Sequence, residues 1–245
     1  MLLYVNGDSH TAAAEAVVPF CFAEDDGELA NNWQLGRIPH PANLAVSWAQ
    51  QLADRVGCAL VCDAEAASSN QRIMRTTRGW LCRNHASLDH TVMIIQWSTW
   101  EREEWLYQGH WLQVTASGLD SVPAPLESRY RDYVTQVDWQ RCTQQAHDQI
   151  WQFHQELSAL GVTHVFFNGN SHFDTGGDVR DWGMNYIGPY DNRLTYNSIL
   201  RQQGFATVNR DSWHFGPDAH CFWANYMLTY LDRYNLLDTH ALSLD

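Results

Sequence analysis

Four short stretches, Leu2–Asn6, Cys58–Cys62, Thr91–Trp97 and Val162–Phe167, are almost uninterrupted runs of apolar residues. Each is too short for a buried helix, and none alternates apolar with polar. A strand reads this way when it is buried on both faces, as in a parallel sheet covered by helices on either side. The segments between them carry helical spacing instead. One helix is expected from about 43 to 55, with Leu44, Trp48 and Leu52 on one face and Gly57 as its stop. Another is expected over about 70 to 83. A long one over about 128 to 160 carries the stripe Val134, Val137, Cys142, Ala146, Ile150, Phe153, Leu157 and Leu160, and Gly161 ends it. Shorter helical spacing covers 194 to 203, Ala206–Val208 is a candidate fifth strand, and Pro217 opens a last helix. Strand–helix alternation of this kind folds as an α/β three-layer sandwich around a parallel sheet of about five strands. The whole 245-residue chain is expected to be one domain, with an irregular insertion at about 19–41 and a lid at about 98–127 that holds a hairpin near 105–115. Residues 170–193, rich in Gly, Asp and Asn, read as a loop.

Composition removes several functions. The formal net charge is −13, which argues against binding a phosphate backbone, so no nucleic acid partner is expected. All fifteen cations are Arg. Without Lys there is neither Schiff-base chemistry nor a P-loop lysine. The six cysteines, Cys21, Cys58, Cys62, Cys82, Cys142 and Cys221, form no CxxC pair and read as buried free thiols of a reducing compartment. The start, Met1-Leu2-Leu3-Tyr4-Val5, meets Asp8 too soon for a signal peptide, and no run approaches a membrane span. The expectation is a soluble, cytoplasmic protein with no membrane partner.

Ligands of open α/β sheets bind beyond the carboxyl ends of the strands. Two motifs fall there. Asn6-Gly7-Asp8-Ser9-His10 follows the first strand and places Ser9 in a turn, where the start of a following helix would offer N–H groups to an oxyanion. Asp211-Ser212-Trp213-His214 precedes the last helix. A carboxylate three residues before a His can hold one imidazole nitrogen while the other faces a nucleophile.

With Gly7-Asp8-Ser9 at one end and Asp211/His214 at the other, the chain resembles the SGNH/GDSL hydrolase superfamily. The continuation His214-Phe215-Gly216-Pro217-Asp218-Ala219-His220 is similar to that family's closing block, in which the second His is structural. The resemblance implies a flavodoxin-like sheet and a serine esterase with Ser9 as nucleophile, His214 as base and Asp211 as acid. It implies no cofactor and no metal. The substrate would be a small acyl ester, such as an O-acetyl group on a carbohydrate. Oxyanion donors would be Ser9, Ala67 or Ser68 in the turn after the second strand, and a side chain among Asn70, Ser98 and Thr99. The family's GxND block is replaced here by Gln96-Trp97-Ser98-Thr99. Asp8, His10, Trp97, Trp100 and His172 are candidate pocket residues. The wider spelling around Gly7–Glu15, Ser68-Ser69-Asn70 and Ile73–Thr77 is similar to a divergent SGNH group of tailed bacteriophages. That places the chain in a host cytoplasm and leaves virion or homo-oligomer contacts as partners. A catalytically weakened SGNH scaffold that only binds, or builds a virion, is the alternative.

A second chemistry has a fainter echo. Asp8-x-His10 matches the opening of metallophosphoesterases, and Gly169-Asn170-Ser171-His172 their GNH block, but nothing like GDxxD follows the second strand. No HExxH or zinc-ligand spacing occurs. Trp97, Trp100, Trp105 and Trp111 form either a sugar-stacking platform or core and interface. Arg72, Arg75 and Arg78 at helical spacing suggest ion pairs more than an anion site. His147, His154 and His164 read as structural. His172 and Asp174, on a post-strand loop, are candidates to line the pocket.

Overall fold

The computed structural model describes residues 1–23, 37–116 and 122–237. Among these, five strands make one sheet: β1 (Leu2–Asn6), β2 (Ala59–Cys62), β3 (Thr91–Trp97), β6 (Thr163–Asn168) and β7 (Tyr186–Ile187). They lie in the order β2-β1-β3-β6-β7, and every pairing is parallel. The central register sets Leu2–Asn6 against Thr91–Ile95, and Val92–Trp97 against Thr163–Asn168. All seven residues of β3 are buried, as its continuous apolar run requires.

Helices cover both faces. On one side α2 (Trp48–Val56), α6 (Tyr196–Gln202) and α7 (Pro217–Arg233) pack Trp48, Leu52, Tyr196, Trp223 and Met227 against Val5, Ile94, Val165 and Phe167. On the other, α3 (Asn70–Arg83) and α5 (Trp139–Ala159) pack Ile73, Trp80, Ile150, Phe153 and Leu157 against Tyr4, Met93, Ile95 and Phe166. The α/β three-layer sandwich expected from the runs is therefore the observed fold, five parallel strands included.

Two expected helices are broken by a cap, and one expected strand lies elsewhere. The helix expected over 43–55 is interrupted: α1 (Pro41–Leu44) ends and α2 restarts where Ser47 accepts from Gln50 N–H. The long helix expected over 128–160 is two, α4 (Glu127–Gln136) and α5, because Asp138 in extended conformation caps the second by accepting from Arg141 N–H. The fifth strand is not Ala206–Val208. Thr207 makes only an isolated antiparallel bridge with Phe215, and the sheet's fifth strand, β7, lies inside the stretch expected to be loop. Two residues of β7 carry no period to detect.

The expected hairpin is present as β4 (Glu103–Tyr107) and β5 (His110–Val114), antiparallel and separate from the main sheet. It packs Trp105 and Val114 on Tyr130 of α4, and Arg129 stacks over the Trp105 ring. Most of the expected irregular insertion, 24–36, lies outside the described residues, as does 117–121 of the expected lid. Cys58, Cys62, Cys82, Cys142 and Cys221 form no disulfide among the described residues. No helix among the described residues is long and apolar enough to cross a membrane.

Candidate active site

The carboxyl ends of β1, β2, β3 and β6 release four loops onto one edge of the sheet, and a cleft of about 610 Å³ opens there. Ser9, His10, Ala67, Thr99, Asn170 and His214 all line it. Ser9 lies three residues past the end of β1. It is 7% exposed, and its hydroxyl hydrogen-bonds to nothing among the described residues. The segment after it is a series of turns rather than the helix start expected. Thr11 and Ala12 N–H both close on Asp8 C=O, and Ala14 N–H on Ser9 C=O. Gly7 is required by close approach: a Cβ there would sit 2.6 Å from Thr11 Oγ1 and 2.9 Å from Gln96 Cβ.

The turns deliver a residue that sequence spacing did not single out. Glu15, at φ 62°, occupies the left-handed region. Its Oε2 lies 2.6 Å from His214 Nδ1 and accepts from Ser212 Oγ, also at 2.6 Å. Ser212 Oγ in turn accepts from His214 N–H at 3.0 Å, which fixes the imidazole's own backbone. The hydrogen bond to His214, then that from Ser212, holds the Glu15 carboxyl below the usual carboxylate range.

Asp211, the expected partner of His214, is elsewhere. Its N–H bonds Asn209 Oδ1, and this turn sends its carboxylate outward. The side chain is 85% exposed beside Arg210. The carboxylate beside His214 Nδ1 is therefore that of Glu15 and not that of Asp211. The second histidine of the closing block does not line the cleft. His220 is buried, and its Nδ1 accepts the first-turn N–H of Trp48 in α2.

Asp8 is fully buried and holds the Ser9 loop in place. Its carboxylate accepts from Gln96 Nε2 (2.7 Å), Ser98 Oγ (2.9 Å), Arg102 Nη1 (3.1 Å) and His10 N–H (3.0 Å). Burial works against its charge, but Arg102 and these bonds outweigh it and leave the pKa below the usual value. Asp8 is thus a structural anchor under the cleft and not one of its walls.

The same network corrects the oxyanion expectations. Ser98 Oγ is engaged by Asp8 and Arg102, and Thr99 Oγ1 donates to Glu101. Asn70 is buried, with its amide bonded to Ser98 N–H and C=O. Ser68 N–H and Oγ both close on Glu65 C=O. Two expected donors remain. Ser9 N–H and Ala67 N–H have no partner among the described residues, and Ala67, at φ 62°, sits at the cleft wall.

A side-chain amide reaches the cleft from the loop after β6 and not from the loop after β3. Asn170 Nδ2 lies 3.1 Å from His10 Nε2. An amide N–H2 can only donate, so Nε2 accepts and the His10 ring is neutral, in keeping with burial, which pushes its pKa down to about 4. His10 meets His214 edge-on, with centroids 5.5 Å apart.

The expected aromatic lining is not found. Trp97 is core against Phe153 and Phe166, and Trp100 stacks on Phe173 while its Nε1 donates to His172 C=O. Trp105 is buried under α4, and Trp111 lies beneath Arg75. His172 and Asp174 face a neighbouring cleft. Arg72, Arg75 and Arg78 pair with Glu65, Glu104 and Glu156. His154 and His164 hydrogen-bond each other, and His147 bonds Tyr190.

No curated protein matches the chain. Among solved structures it is similar to a protein assigned as lipolytic and of the G-D-S-L family from Desulfitobacterium hafniense DCB-2. That likeness has 10% identity and a TM-score of 0.46, covering 94% of this chain and 99% of the other. It is also similar to the psychrotrophic esterase EstA from a Pseudoalteromonas species, inhibited by monoethylphosphonate, at 10% identity and a TM-score of 0.40 over 96% and 98%. A family model described as a family of unknown function, DUF6071, matches residues 34–165, more than half of the 245 residues, and the chain belongs to that family.

Proposed function

We propose that this chain is a serine acyl-ester hydrolase of SGNH type, acting on small acyl esters such as O-acetyl groups on carbohydrate. The observation that carries the reading is the line from Glu15 through His214 into the cleft that Ser9 shares. A carboxylate on Nδ1 fixes the tautomer that leaves Nε2 free as a base. The cleft is open enough to admit an ester.

In this mechanism Ser9 Oγ attacks the ester carbonyl while His214 Nε2 takes its proton. The C–O bond to the leaving alcohol then breaks, and His214 returns the proton to that alcohol. Water, activated by the same nitrogen, attacks the acyl-serine and releases the carboxylic acid. Glu15 stabilises the imidazolium in both half-reactions. The tetrahedral oxyanion is received by Ser9 N–H, Ala67 N–H and the second N–H of Asn170. Preorganised donors of this kind are the largest usual contribution to acyl transfer.

The test is p-nitrophenyl acetate hydrolysis by wild type and Ser9→Ala, together with fluorophosphonate labelling. A rate lost in Ser9→Ala and a label on Ser9 support the hydrolase. Equal background rates in both, with no label, overturn it in favour of a scaffold that binds without catalysis.

A further inference from the structure

A second cleft, of about 600 Å³, adjoins the first, and Asn170 lines both. Its floor is Trp100, and its rim is Trp139, Gln140, His172, Asp174 and Asn192. Trp139 opens α5 and leaves 55% of its surface exposed, unlike the Trp97, Trp100 and Trp105 rings, which are buried. The side chains of Gln140, His172, Asp174 and Asn192 hydrogen-bond to nothing among the described residues. A large exposed ring beside unengaged amide, imidazole and carboxylate groups is the chemistry that holds a sugar. The ring takes the C–H face, and the polar groups take the hydroxyls.

We infer that this cleft is a subsite for a neutral glycan, which runs past Asn170 so that an acyl group on a neighbouring sugar reaches Ser9. The second half of that statement rests on the hydrolase reading, whereas the binding itself does not. A neutral glycan is favoured over an anionic one because the cleft carries Asp174, no Arg lines it, and the chain's net charge is −13. Two clefts of this size joined at one residue suit a linear oligosaccharide better than a monosaccharide.

Calorimetric titration with xylohexaose, cellohexaose and chitohexaose tests it on wild type, Ser9→Ala, Trp139→Ala and Trp139→Phe. At least one hexasaccharide should bind wild type and Ser9→Ala equally. Trp139→Ala should weaken it about five- to tenfold, and Trp139→Phe should restore most of the loss. The O-acetylated form of that hexasaccharide should show a raised KM in Trp139→Ala, while p-nitrophenyl acetate turnover stays unchanged. Failure of all three hexasaccharides to bind wild type, or undiminished binding by Trp139→Ala, overturns the subsite. Binding that depends on Trp139 in a protein without esterase activity upholds the subsite and sinks the hydrolase reading alone.

Discussion

His214 Nδ1 lies 2.6 Å from Glu15 Oε2, between residues 199 positions apart in the chain. Asp211, three positions from His214, faces solvent. The two carboxylates therefore make opposite predictions. Glu15→Gln keeps the size but removes the charge that fixes the tautomer and supports the imidazolium, and kcat should fall about 10²–10⁴-fold. Asp211→Asn should leave kcat within about twofold, since an exposed charge next to Arg210 does little work at the cleft. Steady-state kinetics on p-nitrophenyl acetate decides between them, and the reverse ranking would return Asp211 to the acid role.

The sequence made the sheet legible because burial on both faces leaves a continuous apolar run, as in Thr91–Trp97. It also placed Ser9 and His214 at the strand-end edge, because that edge follows from element order alone. What it concealed depends on turns. Glu15 reaches His214 only because Ala13 and Glu15 both take positive φ, which no side-chain pattern announces. Asn170 was hidden for another reason: the amide comes from the loop after β6, so a search for Asn after β3 finds Gln96 and Ser98, both bound to Asp8. The Trp-rich segment misled because aromatic content says nothing about exposure. The tryptophans exposed at the clefts are Trp213 and Trp139, both outside that segment.

The oxyanion site gives a second contrast. Asn170→Ala removes the amide from the cleft and should lower kcat about 10²-fold with little change in KM, as loss of one preorganised donor does. Ser98→Ala should leave turnover nearly intact, because its hydroxyl serves Asp8. It should cost about 1–3 kcal/mol of stability, the penalty for a buried carboxylate short of one partner. Kinetics and denaturant midpoints on the same two variants separate the roles. A catalytic loss in Ser98→Ala with unchanged stability would contradict the assignment.

Arg102 is the countercharge of Asp8, which is wholly buried. Arg102→Met keeps the aliphatic stem and removes the charge. It should destabilise the fold by about 3–5 kcal/mol, since breaking a buried pair leaves an uncompensated ion. Guanidinium unfolding of this variant checks the value. Adding Asp8→Asn should recover part of the loss, because the remaining amide carries no charge to compensate. A double variant less stable than the single one would show that Asp8 has another partner as strong as Arg102.

Three histidines make folding pH-dependent. Burial pushes His10 and His164 down to about 4 and His220 to about 3, so each is neutral in the fold at pH 7. In the unfolded chain they titrate near 6.5. Between the two values the unfolded chain binds more protons. Their contribution is therefore complete above about pH 6.5 and is lost as pH falls toward 4. Each proton taken up on unfolding steepens the loss by about 1.4 kcal/mol per pH unit. Denaturant midpoints at pH 7.5, 6 and 5 should fall in that order. His164→Gln, which removes one titrating group and keeps hydrogen-bonding atoms beside His154, should flatten the slope. A midpoint that holds steady from pH 7.5 to 5 would mean that these imidazoles find a charged form the fold tolerates.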